Sequence, residues 1–308
     1  MQYFPSGTRP PVSGFPVAPA RSSVKTPVIS FEFFPPKTEG AARSLQQTVA
    51  TLAGFAPEFL SVTYGAGGTT RDRTLATTAE MVRQGVGPVA GHLTCVGATR
   101  EDVNAVAQEY WAAGVRHIVA LRGDPGTPGS RFEPHPGGYA HAADLVKGLK
   151  TVADFEISVA AYPETHPEAV SPQKDIEYLK AKLDAGATRA ITQFFFVPEA
   201  FLRFRDRAVA AGITAPIVPG ILPIANVAQA YKFAELCGAG IPETLRATLD
   251  GLDAHPEARA MVTTALAAEL CRTLLAEGVE HLHIYTLNRA EPSYALCRLL
   301  GVMPALQA

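Results

Sequence analysis

Glu32 sits inside an apolar run, Val28-Ile29-Ser30-Phe31-Glu32-Phe33-Phe34, that Pro35 and Pro36 bring to an end. If the run is a strand, alternation puts Ser30 and Glu32 on one face and Ile29, Phe31 and Phe33 on the other, with Glu32 near the C-terminal end. Two readings of this acid are open. One is a structural carboxylate held by a hydrogen bond or an arginine. The other is a general acid: burial among phenylalanines disfavours the charged form, raises the pKa and keeps a proton available near neutral pH.

Other residues with chemical capacity are more scattered. In Arg122-Gly123-Asp124-Pro125, a glycine that lets a ligand approach is flanked by opposite charges able to grip or tune it; the bland alternative is an Arg/Asp turn stopped by proline. The loop from there to Gly138 is long and rich in Pro and Gly, a pattern often functional in a compact barrel. Asp175, Tyr178 and Lys182 are spaced to share one helical face, which by itself describes an ordinary solvated stripe. Phe233 by itself reads as core. Gly65-Ala66-Gly67-Gly68-Thr69-Thr70 fails the dinucleotide fingerprint because its spacing ends on threonine, leaving a glycine-rich turn that lets backbone approach a ligand. No Walker lysine motif and no HExxH are present. His281 and His283 share a strand face but lack a third ligand at plausible spacing, so they read as core or rim histidines and no metal is expected. No predicted strand contains a lysine, which argues against Schiff-base chemistry.

Composition narrows the partners. A formal charge of -2 gives no basic field for nucleic acid or an anionic membrane, so a small molecule is the default ligand. Four separated cysteines without a CxxC pair indicate free thiols and a reducing compartment. No secretory h-region or membrane-length apolar run is present, and a soluble cytoplasmic protein is expected.

The elements that must position these residues alternate regularly. Residues 1–26, rich in proline, read as a mobile N-terminal arm. Strands are expected near 28–33, 58–64, 89–95, 115–121, 156–162, 188–195, 216–221 and 281–286, separated by amphipathic helical stretches, with a longer helical region over about 225–278. The strand-helix recurrence favours a single-domain α/β fold over residues 27–308, a (β/α)8 TIM-type barrel, with a doubly wound open sheet as the alternative. In a barrel, the C-terminal strand ends form the active face. Glu32, Thr63-Tyr64, His92 and Thr94, Arg122-Gly123-Asp124, Tyr162, Gln193 and Asn288-Arg289 would gather there, as expected of a catalytic or cofactor mouth.

Eight segments in order, FEFFPPK at 31–37, SVTYGAGG at 61–68, HLTC at 92–95, LRGDP at 121–125, AAYPETHPEA at 160–169, AITQFFF at 190–196, PGILPI at 219–224 and YTLNRAE at 285–291, closely resemble the bacterial 5,10-methylenetetrahydrofolate reductase family. The resemblance spans about 27–304. It implies a flavin-containing barrel in which NADH or NADPH reduces FAD, and the reduced flavin converts 5,10-methylenetetrahydrofolate into 5-methyltetrahydrofolate for methionine synthesis. Carried over on these motifs, Glu32 is the catalytic acid. Thr63, Tyr64, Ala66, His92, Arg122, Gly123, Asp124, Ala140, Tyr162, His166, Ala169, Asp175, Tyr178 and Lys182 line FAD or its nicotinamide partner, and Asp124 lies near the pyrimidine edge of the flavin. Gln193, Gln229, Phe233 and Arg289 contact substrate, Phe233 by stacking. A homo-oligomer is implied. The arm matches nothing in the family, and without a regulatory domain after the barrel no adenosylmethionine control is expected. Two other functions stay open: another flavin barrel oxidoreductase of the proline dehydrogenase type, and a barrel that binds folate or flavin without turnover.

Overall fold

The computed structural model describes residues 25–65, 70–125 and 132–305. The arm up to residue 24, Ala66 in the glycine-rich turn, and residues 126–131 of the long loop lie outside them. Eight strands form a closed parallel barrel in sequence order, and β1 (Val28–Phe33) pairs with β8 (His281–Tyr285) to close it. The remaining strands are β2 (Leu60–Val62), β3 (Val89–Thr94), β4 (His117–Leu121), β5 (Glu156–Ala161), β6 (Arg189–Phe194) and β7 (Ile217–Ile221). Every expected strand is present, and closure excludes the open sheet.

Helices α1 (Glu39–Ala53), α2 (Arg71–Arg83), α3 (Arg100–Ala112), α4 (Ala142–Val152), α5 (Pro172–Asp184) and α6 (Pro198–Ala210) alternate with the strands. The long helical region resolves into α7 (Val227–Cys237), α8 (Glu243–Leu249), a 3-10 turn at 252–254 and α9 (Pro256–Ala276), and α10 (Ala290–Leu299) follows β8. Among the described residues no helix is long and apolar enough to cross a membrane.

Two helices that carry site residues have strong start signals. At α5, Ser171 accepts from Lys174 N and Pro172 occupies the first turn, where its missing N–H costs nothing. At α7, Asn226 Oδ1 accepts from Gln229 N at 2.7 Å.

The alternation of β1 divides its side chains between two layers. Ile29, Phe31 and Phe33 face outward and pack with Leu45, Val49 and Leu52 of α1 in the core between barrel and helices. Ser30 and Glu32 face the barrel interior, where Phe59, Ala90, Val119 and Ile191 form an apolar plug. The N-terminal end of the interior is polar: Arg189 Nη1 lies 2.8 Å from Glu58 Oε1, its other terminal nitrogen pairs with Glu156, and His281 Nδ1 is 3.2 Å from Glu58 Oε2.

Candidate active site

Glu32 lies between two imidazoles. Its Oε2 is 3.2 Å from His92 Nε2, contributed by β3, and 3.5 Å from His283 Nε2 of neighbouring β8. Both ring nitrogens are buried, and among the described residues neither meets hydrogen-bond geometry with any group, so each is a close approach to Glu32 rather than an aligned hydrogen bond. Burial raises the carboxyl pKa, but the neighbouring His92 and His283 together outweigh it and bring the value to about 2. This corrects the expectation of a protonated acid. The phenylalanines are on the opposite face of β1, and histidines occupy Glu32's own side, where they offset the cost of burying the charge.

The end of β1 is fixed by the turn after β8. Thr286 Oγ1 donates to Glu32 O at 2.7 Å, and the Asn288 side chain bridges Phe34, accepting from its N–H at 2.8 Å and donating to its carbonyl at 2.9 Å. Leu287 and Asn288 carry φ of 50° and 58°, left-handed backbone that non-glycine residues seldom adopt and that tends to occur at functional sites.

Above Glu32 opens a cavity of about 330 Å³ at the C-terminal face. Of the residues expected in the site, it gathers Glu32, Thr63, Tyr64, His92, Asp124, Tyr162, Gln193 and Phe233. Its walls also include Val119, Leu121, Ile191, Leu222 and Tyr285. Gln193 reaches the mouth where the β6–β7 register shifts between Ile191 and Phe194. Tyr285 crosses above β7 and donates to Thr192 O at 2.7 Å. Gly220 makes room for it, since a Cβ there would lie 2.2 Å from Thr192 O and 2.6 Å from the Tyr285 ring.

A second group of expected residues extends outward from Tyr162. His166 packs edge-on against Tyr162 at 4.5 Å, the His166 N–H donates to Asp175 Oδ2 at 2.9 Å, and Ala169 N donates to His166 O. Arg122 pairs with Glu168 at 2.6 Å. Lys182 donates to Ala160 O, and its burial lowers its pKa to about 8, with Asp175 opposing and Arg122 assisting the shift. Gly123, at φ 86°, holds the Arg122–Asp124 turn where a Cβ would meet Val96 at 2.7 Å and Thr94 at 2.8 Å.

Four expected residues are outside these groups. Tyr178 is 49% exposed and packs its ring under Lys174, so the predicted stripe on α5 divides: Asp175 and Lys182 are partly buried while Tyr178 faces solvent. Ala140 is half-buried just before α4, and Gln229 and Arg289 are exposed at the N-termini of α7 and α10. The sequence reading places His281 and His283 in the core or rim, and the barrel interior is where they lie. It misses the contact of His283 with Glu32 and the place of Tyr285 in the cavity. Both residues were within reach of period-two counting, because positions 281, 283 and 285 share one face of β8.

Residues 19–301 match the family model for methylenetetrahydrofolate reductase, a span that begins within the stretch read as an arm. The chain is similar to 5,10-methylenetetrahydrofolate reductase of Pectobacterium carotovorum subsp. carotovorum, 51% identical with 90% of this chain and 91% of the relative covered. It is similar also to the Escherichia coli (strain K12) 5,10-methylenetetrahydrofolate reductase, 50% identical over 90% of this chain and 92% of that one. A solved protein from Clostridium thermocellum that binds two copies of 5-methyl-5,6,7,8-tetrahydrofolic acid shares the fold, with a TM-score of 0.59 and 15% identity over 90% of this chain and 95% of that one. Carrying these matches and a carboxylate-floored cavity at the mouth of a closed barrel, the chain belongs to the methylenetetrahydrofolate reductase family and is an oxidoreductase.

Proposed function

We propose that this protein reduces 5,10-methylenetetrahydrofolate to 5-methyltetrahydrofolate by a ping-pong hydride transfer from NADH or NADPH through bound FAD, with Glu32 as the proton donor. The observation that carries the reading is the placement of Glu32 on the floor of the mouth cavity, flanked by His92 and His283. The residues present fit a flavin. Apolar walls at Val119, Leu121, Ile191 and Leu222 suit a flat ring system, while the track of Arg122, His166, Asp175 and Lys182 offers polar groups to the rest of the molecule. Thr94 Oγ1, buried beside Gly123 and without a partner among the described residues, is a further polar atom open to a ligand. When bound, FAD would take up a hydride from the nicotinamide and pass it to the folate. Thr63, Tyr64, Asp124 and Tyr162 would hold its ring, and Gln193 and Phe233 would orient the folate, Phe233 by stacking. Ala66, Ala140, Ala169, Tyr178, Gln229 and Arg289 belong to the same proposal as peripheral contacts.

The names of substrate and product locate the proton. The carbon that bridges N5 and N10 remains on N5, so the bond to N10 breaks and N10 gains a proton. Glu32 supplies that proton, and the hydride then completes the methyl group. Each turnover therefore consumes one proton through Glu32, whose resting state is the carboxylate.

Glu32→Gln keeps the shape of the side chain and removes the transferable proton. With flavin content checked first, rapid-reaction kinetics are expected to show flavin reduction by nicotinamide within about tenfold of the parent and the folate half-reaction slowed about 10²-fold or more. Equal slowing of both halves would assign Glu32 to positioning the flavin, and folate reduction at the parent rate would remove it from the chemistry.

A further inference from the structure

We infer that the barrel interior carries a proton relay, Glu58–His281–Ser30–His283–Glu32, that supplies Glu32 from the N-terminal face of the barrel. The inference rests on the reading of Glu32 as proton donor. Its geometry follows from two short patterns on neighbouring parallel strands. Ser30 and Glu32 alternate on β1, His281 and His283 alternate on β8, and the register sets Val28 opposite His281, Ser30 opposite His283 and Glu32 opposite Tyr285. All four side chains point inward and interleave. From the outside in, Glu58 Oε2 is 3.2 Å from His281 Nδ1, His281 Nε2 is 2.8 Å from Ser30 Oγ, Ser30 Oγ is 2.7 Å from His283 Nδ1, and His283 Nε2 is 3.5 Å from Glu32 Oε2.

The serine hydroxyl, able to donate and accept, joins the two rings by hydrogen bonds, and His283 turns its other nitrogen toward Glu32 at 3.5 Å, an approach that a small shift of ring or carboxylate closes into a bond. Ser30 and His283 are fully buried, with the Phe59 ring stacked on His283 at 5.5 Å, so the bonds between them are shielded from solvent. Glu58 is 38% exposed, within reach of bulk water. Burial lowers the pKa of both rings, that of His281 to about 3, so each is neutral and presents one N–H and one lone pair.

The transfer balances. A proton on Glu58 passes to His281 Nδ1 as His281 Nε2–H moves to Ser30 Oγ, the Ser30 hydroxyl proton moves to His283 Nδ1, and His283 Nε2–H moves to Glu32. One proton leaves Glu58, one arrives at Glu32, and every intermediate group ends neutral with its tautomer or hydroxyl direction reversed. The route matters because the cavity above Glu32 is where ring and substrate must sit, so solvent access from that side narrows when both are bound. A second buried pair acts as an internal contrast: His117 Nε2 is 2.8 Å from Ser158 Oγ, the same kind of bond, but among the described residues no chain of hydrogen bonds joins that pair to Glu32; only the apolar Phe59 ring lies between His117 and His283.

The test compares Ser30→Ala, Glu58→Gln and the control Ser158→Ala in the flavin-loaded enzyme. Ser30→Ala and Glu58→Gln are expected to slow the folate half-reaction about tenfold or more, a smaller loss than removal of the acid itself, and to leave flavin reduction by nicotinamide at the parent rate. Ser158→Ala is expected to change neither. The folate half of the parent should show a solvent isotope effect whose dependence on deuterium fraction is curved, from several protons in motion, and Ser30→Ala should make it linear. A second readout needs no flavin: ¹⁵N NMR of the imidazoles should show Glu58→Gln shifting the tautomer signal of His283, three links away, and Ser30→Ala abolishing that response. Parent rates in both Ser30→Ala and Glu58→Gln, with Glu32→Gln still inactive toward folate, would sink the relay and leave the acid standing. A folate half-reaction unimpaired in Glu32→Gln would instead sink the acid. Slowing in Ser30→Ala alone would reduce Ser30 to positioning His283, and equal slowing in Ser158→Ala would assign the effect to barrel packing; either overturns the relay.

Discussion

The charge on Glu32 is decided by what faces one oxygen, the imidazoles of His92 and His283 at 3.2 and 3.5 Å. Without them burial would dominate and the carboxyl would stay protonated. Asp124 presents a second charge to the same cavity. If it lies against the flavin, its negative charge disfavours the anionic reduced ring and strengthens it as a hydride donor. Asp124→Asn is then expected to raise the flavin reduction potential on the order of 30 mV, equivalent to about 1.4 kcal/mol for a two-electron couple. The nicotinamide half should become more favourable and the folate half slower. Spectroscopic titration against a reference dye measures the potential directly, and an unchanged value would place Asp124 away from the ring.

At the scale of elements, the turn joining β8 to α10 clamps the end of β1. Asn288 contributes in two ways, through its two bonds to Phe34 and by tolerating φ of 58°. Two substitutions separate the contributions. Asn288→Gly keeps the backbone preference and loses the bonds, for an expected loss of about 1 kcal/mol because Phe34 is partly exposed. Asn288→Ala loses the bonds and also forces an alanine into the left-handed region, for about 1 kcal/mol more. Urea unfolding compares them, and equal losses would mean that the backbone at 288 relaxes freely. Strand positions and inward-facing residues of these elements were legible from period-two counting and the strand-helix recurrence. The left-handed turn was not, because neither Leu287 nor Asn288 is a glycine that would announce it.

For the whole molecule, the polar interior has a consequence for acid stability. His117 and His281 have pKa values lowered from 6.5 to about 3 by burial. A histidine that binds its proton less readily when folded contributes stability that is fully present above its unfolded pKa and lost as pH falls toward its folded one. The loss therefore begins below pH 6.5 and continues to about 3, and it amounts to about 2 kcal/mol per ring between pH 7 and 5. Glu32, lowered from 4.5 to about 2, adds a further loss across that lower window. Unfolding free energies from urea titrations at pH 7, 6 and 5 check this. A flat profile from pH 7 to 5 would show that the two rings are not held neutral in the interior.

The sequence by itself determined the strand-helix alternation, the inward face of β1 and the set of residues brought to the strand ends, because those depend on local periodicity and on chain order. It also carried the family, through eight motifs in one order. Tertiary structure alone decided the charge of Glu32 and its connection to the opposite face. Barrel closure sets β8 beside β1 although about 250 residues separate them, and β3 sends His92 to the same oxygen from a strand that does not pair with β1. A pKa depends on the atoms within a few ångströms, and closure, rather than any local pattern, selects which atoms those are.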